Sequence, residues 1–113
     1  MCTPVTLDLL LKDTRSELSK LFGNKLLSVV LYGSYARGDY DSESDIDVMA
    51  LVDMDREELN KYRRCVSESA NKIDLRYNVL LSIKLQDKTN FQKYKNSIPL
   101  YRNIVNEGVE VRV

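Results

Sequence analysis

Gly33-Ser34 and Asp45-Ile46-Asp47 are the residues of this chain whose types and spacing could do chemistry. Gly33 closes an apolar run and has no Cβ, so another group can come close to its backbone. Ser34 then begins a helical turn, where N–H groups attract anions and the hydroxyl adds a donor. An ordinary strand-to-helix turn would carry the same dipeptide, so the pair alone decides little. Asp45 and Asp47 stand at i and i+2, which on a strand puts both carboxylates on one face. Two acids on an otherwise apolar strand are costly to place there without a partner. An oxygen-rich, doubly anionic site suits Mg²⁺, which typically binds one or two carboxylates together with substrate phosphates. A solvated strand end would also tolerate them. A phosphate turn and a metal pair on neighbouring strand ends, taken together, support phosphoryl or nucleotidyl transfer from a nucleoside triphosphate.

The elements that must position these residues are legible in outline. Residues 4–22 carry Leu7, Leu10, Leu11, Leu18, Leu21 and Phe22 at helical spacing, with Thr3-Pro4 as start and Gly23 as stop. LLSVVLY at 26–32 is an apolar, β-branched run expected to be a strand buried on both faces. A helical turn at 34–38 and a polar loop at 39–44 lead to a second strand at 45–52. Asp55 with Glu58 resembles a capping box that opens a helix to about Asn71. A third strand is expected at 74–83, helices at 89–94 and 99–106, and a short edge strand in the closing VEVRV. The helix between strands two and three makes those strands parallel. The expected fold class is α/β (α+β): a small mixed β-sheet flanked by helices, with residues 1–113 forming one domain.

Composition excludes more than it selects. Net charge is zero, which leaves no global basic footprint for nucleic acid. Residues 39–58, however, hold nine acids against the one base Arg56, and residues 84–113 hold six bases against three acids. Five carboxylates between Asp39 and Asp47 repel one another unless a cation or solvent screens them. Cys2 and Cys65 form no metal-spacing motif and point to a reducing compartment. With no His, a zinc site is not expected. The charged, amphipathic first helix is unlike a signal peptide, and no apolar run approaches a membrane span, so the expected location is the cytoplasm.

GSYARGD…SDIDV resembles the signature of the minimal nucleotidyltransferase domains in the DNA polymerase β-like superfamily. The tail, FQKYKNSIPLYRNIVNEGVEV, is similar to that of small bacterial members. The resemblance implies the polymerase β-like nucleotidyltransferase fold, Mg²⁺, and transfer of a nucleoside monophosphate from a triphosphate, usually ATP. Many such proteins are encoded beside a HEPN-domain toxin and act as antitoxins, by AMPylating the toxin or by binding it. Carried onto this chain, the resemblance assigns Gly33 and Ser34 to the triphosphate and Asp45 and Asp47 to the metal. It also implies a third carboxylate on the next strand, as metal ligand and base. An apolar-Asp-apolar pattern selects Asp74 for that place, whereas keeping the tail in register selects Asn78. On a strand the two share a face but lie roughly 13 Å apart, so only one can stand beside Asp45 and Asp47. Neutral Asn78 cannot accept a proton and is a weaker metal ligand.

Other residues have plainer uses. Arg37, on the turn after Ser34, could touch phosphate or brace the acidic loop. Tyr35 and Tyr40 flank the motif and could contact a base, although such tyrosines are more often half-buried. DREELNKYRR reads as a solvated helix face. Lys84, Lys88, Lys93 and Lys95 could form a basic rim for substrate or partner. The chain lacks the room and basic charge for gripping a template strand. Two functions of different classes follow. One is a Mg²⁺-dependent transferase moving AMP from ATP to an acceptor hydroxyl, with a partner protein as one candidate acceptor. The other is a catalytically weak module that holds a partner such as a HEPN toxin.

Overall fold

Leu10, Thr14, Leu18 and Phe22 recur every fourth residue, and all four are buried along one stripe of helix α1, Pro4–Phe22. The one hydroxyl in that stripe is satisfied within the helix, Thr14 Oγ1 donating to the Leu10 carbonyl at 2.8 Å. The computed structural model describes residues 4–41 and 45–111. Cys2 and Thr3, both singled out in the sequence, lie outside the described residues, as do part of the 39–44 loop and the end of the VEVRV tail.

After α1 a 3-10 turn leads into β1, Leu26–Tyr32, then α2, Ser34–Arg37, and β2, Ile46–Val52. Next come α3, Arg56–Asn60, α4, Arg63–Tyr77, β3, Leu81–Asp87, α5, Lys88–Tyr94, α6, Pro99–Glu107, and β4, Val109–Glu110. The four strands form one mixed sheet in the order β3-β2-β1-β4. β1 runs antiparallel to β2 and β4, while β2 and β3 are parallel, as the helical crossover requires.

One sheet face carries the main core. Val29, Leu31, Ile46, Val48, Ala50 and Val52 pack there with Leu10, Leu18 and Phe22 of α1 and Val66, Ala70 and Ile73 of α4. α1 and α4 lie antiparallel: Phe22 meets Tyr62 just before α4, while Asp13 is bonded by Arg76 and Tyr77 at its far end. The opposite face has a smaller cover from α6. Tyr101 reaches Gln86 there, and the α6 terminus sits against Val30, the strand partner of buried Met49. β1 is therefore deeply buried on one side and half-buried on the other.

Two expectations need correction. The helix expected at 55–71 is two helices, α3 and α4, separated at Lys61-Tyr62. Asp55 does cap α3, accepting the Glu58 N–H at 2.8 Å. The third strand, expected at 74–83, begins only at Leu81, because α4 continues to Tyr77. Ile73 and Tyr77 are one helical turn apart, Ile73 in the core and Tyr77 packed against it. The apparent alternation of DLRYNV was helical periodicity sampled too briefly. Asn78 then stops α4 in the left-handed conformation, φ 54°, with its N–H on the Asp74 carbonyl.

Candidate active site

β1 delivers Gly33 beyond its last residue, and the backbone there takes φ 76° and ψ −155°, a region open essentially to glycine alone. The Gly33 carbonyl accepts the N–H groups of Ala36 and Arg37, both at 3.1 Å, which folds the chain at once into α2. The antiparallel pairing of β1 and β2 sets Tyr32 opposite Asp47. A Cβ on Gly33 would fall 2.6 Å from Asp47 Oδ2, so the Gly-Ser turn and the acid share one space. Of the pair, Asp47 is half-buried and Asp45 exposed just before β2.

The electrostatics reflect that crowding. Burial raises the Asp47 carboxyl above its ordinary range, Asp45 beside it raises it further, and Arg37 opposes the rise. Burial, with Asp47 adding to it, also pushes the Tyr32 hydroxyl up. A divalent cation held between the two acids would relieve the same repulsion, so the donor set fits Mg²⁺ completed by phosphate oxygens and water. Among the described residues no group of three or more His, Cys, Asp or Glu side chains converges on a metal position.

The remaining sequence candidates divide between this neighbourhood and the α4–β3 junction. Arg37 Nε lies 3.2 Å from Asp39 and its Nη1 3.6 Å from Glu107 of α6, so it ties α2 to the acidic loop and to the last helix. Tyr35 is buried in the core and stacks on Tyr40 with ring centroids 4.1 Å apart and planes 6° apart. Neither Asp74 nor Asn78 stands on a strand. Asp74 lies in α4, and its Oδ1 accepts the Leu81 N–H at 2.7 Å, joining the helix to the start of β3. Asn78 is the left-handed residue that ends α4. Their shared strand face, assumed from the sequence, does not exist. The β3 residue paired with Asp47 is Ser82, an exposed serine on the same face. Placing the strand too early hid Ser82; the alternation of LSIKLQ was the signal that could have revealed it.

A nucleotidyltransferase-domain family model matches residues 11–109. A Methanocaldococcus jannaschii protein named "Putative protein adenylyltransferase MJ0141" is 35% identical over 104 residues, covering 90% of this chain and 95% of its own. A second from that organism, of the same name but numbered MJ0604, is 31% identical over 98 residues, 87% of this chain and 90% of its own. The crystal structure of a toxin–antitoxin with AMP-PNP superposes with a TM-score of 0.55 at 20% identity, covering 89% of this chain and 72% of that one. At that identity the likeness speaks to the fold alone. The family match spans both the Gly33-Ser34 turn and the Asp45/Asp47 pair, and this chain belongs to the nucleotidyltransferase-domain family.

Proposed function

We propose that residues 1–113 act as a single Mg²⁺-dependent nucleotidyltransferase domain that moves AMP from ATP to a hydroxyl on a partner protein. Gly33 and Ser34 would receive the triphosphate, Asp45 and Asp47 would hold Mg²⁺, and Arg37 would fix the turn between them. When bound, the cation supplies charge neutralisation of the phosphate oxygens. In the transfer, the acceptor oxygen bonds to the α-phosphorus as the bond to the bridging oxygen breaks. Pyrophosphate leaves with that electron pair, and the hydroxyl proton passes to water. The protein's part is to position these groups and preorganise charge around them.

The observation that carries this reading is the contact between Gly33 and Asp47, which makes the turn and the acid one structure. The names of the relatives motivate the adenylyl group and the protein acceptor. The toxin–antitoxin neighbour motivates an antitoxin role, with a HEPN-domain protein as the partner to try first. Calorimetric titration of ATP with and without Mg²⁺, on wild type and on Asp45→Ala/Asp47→Ala, tests it. Metal-dependent binding that disappears in the double variant is expected, and no wild-type binding at millimolar ATP would overturn it.

Ser82 favours a second reading. The strand neighbour of Asp47 offers a hydroxyl where a carboxylate would serve as base and further ligand. A protein with that substitution could bind nucleotide and partner yet transfer slowly. Incubation with labelled ATP and candidate partners separates the two: a labelled partner supports the enzyme, and stable complex formation without label supports the binding module.

A further inference from the structure

A cleft of about 360 Å³ opens beside β3, walled by α3, α4, α5 and α6. Arg56, Arg63 and Lys84 line it together with Gln86, Tyr94 and Tyr101. Its one carboxylate, Asp87, is buried at 6% exposure and occupied in capping α5, where it accepts the Asn90 N–H at 3.0 Å. Gln86 is likewise spent, accepting the Tyr101 hydroxyl at 2.6 Å and donating to Asp87. Among the described residues, none of the three cations has an ion-pair partner, and Arg63 bonds only to Asn60, at 2.7 Å. The cleft therefore has a settled floor and a net positive lining, three cations against the single carboxylate of Asp87.

Its position relative to Asp47 gives that charge a use. The sheet order places β1, with Gly33, on one side of β2 and β3 on the other. Phosphoryl-group transfer keeps attacking and leaving oxygens roughly in line. If the pyrophosphate is held at the Gly33-Ser34 turn, in-line geometry sets the attacking hydroxyl on the far side of Asp47 from that turn, the side of β2 on which β3 lies. Lys84 and Gln86 share the face of Ser82 and Asp47, two and four residues further along β3, or roughly 7 and 13 Å. The cleft is the ground an incoming acceptor would cover.

We propose, resting on the reading of this chain as a transferase to protein, that the cleft docks an acidic stretch of the acceptor protein. The stretch lies about two to four residues from the hydroxyl that is modified, the span an extended peptide needs to pass from Asp47 to the cations. Arg56 and Arg63 fork onto carboxylates, Lys84 guides the chain toward Asp47, and Tyr94 and Tyr101 form the wall for its less polar side chains. Three cations gathered in one cleft suit a short acidic segment better than a nucleic-acid strand, which calls for a groove tracking successive phosphates.

The test is fluorescence anisotropy with the full chain and a labelled peptide. The peptide has one tyrosine followed two to four positions on by glutamates; a control peptide has serines in their place. Wild type is expected to prefer the glutamate peptide, with affinity falling as salt rises. Arg63→Glu and Lys84→Glu, each checked for an unchanged melting curve, should each weaken it about tenfold or more. Asp47→Asn should bind the peptide as wild type does, which separates docking from the nucleotide site. Equal affinity for both peptides, no effect of the charge reversals, or tighter binding of a single-stranded RNA of similar length would overturn the proposal. ATP titration of Arg63→Glu, run in parallel, reads the nucleotide site alone: loss of peptide binding with ATP binding intact supports the cleft. Failure of wild type to bind ATP would overturn the function while leaving the peptide result to stand by itself.

Discussion

Gly33 and Asp47 are far enough apart in sequence that nothing local links them, yet each restricts the other. Any side chain at position 33 meets Asp47 Oδ2, and the positive φ strains an L-residue there in any case. Gly33→Ala is therefore expected to cost about 2–4 kcal/mol of stability, combining backbone strain with overpacking. It should also abolish Mg²⁺–ATP binding; urea denaturation and calorimetry check the two effects separately. Gly-Ser and Asp-x-Asp could be picked out by residue type and spacing alone. Their contact could not, because it depends on the β1–β2 register. Ser82 stands beside Asp47 through the β2–β3 pairing, and the strand that carries it was placed too early to show this.

At the scale of elements, the sequence located α1, β1, α2 and β2 well, because each has a clean apolar period or a clear terminator. It misplaced the α4–β3 junction, where a helix end and a strand start carry similar short patterns. The residue responsible for that junction is Asp74, whose carboxylate accepts the first β3 N–H. Asp74→Ala would leave that part-buried N–H without its partner, at an expected cost of about 1–2 kcal/mol. ATP affinity should stay at the wild-type value, and a loss of nucleotide binding without loss of stability would contradict this structural role. The helix pair α1–α4 depends on pH through Asp13. Its hydrogen bond from Tyr77, supported by Arg76 and opposed by some burial, lowers the carboxyl below its usual range. A carboxyl depressed in the folded state stabilises the fold above its unfolded value of about 4, and that contribution disappears as pH falls through the folded value. Asp13→Asn should accordingly lower the melting temperature at neutral pH and converge with wild type once the pH falls below the depressed folded value.

Over the whole molecule, the mixed sheet could be anticipated from the crossover helices, but the order β3-β2-β1-β4 could not, since the β1–β4 pairing joins distant segments. That pairing brings α6 across the Asp47 face. Gly108 is its tightest point: a Cβ there would lie 2.3 Å from the Ile104 carbonyl oxygen and 2.5 Å from Val30 Cγ1. Gly108→Ala should force α6 and β4 away from the sheet, at about 1–3 kcal/mol. Hydrogen exchange should then speed up in β4 and α6 while α1 and α4 stay protected; uniform exchange would argue that the sheet does not depend on this contact. Among the described residues no helix is long and apolar enough to cross a membrane. The Gly33–Asp47 contact also bears on how the molecule would decay in a lineage released from selection. Asp47 can be exchanged for a smaller residue without touching its neighbour, whereas a residue larger than glycine at 33 is obstructed while Asp47 is present. Loss is easier at the acid than at the glycine, where the positive φ strains any side chain even once Asp47 is gone, and a related sequence that keeps the Gly-Ser turn without its acid would mark the easier step.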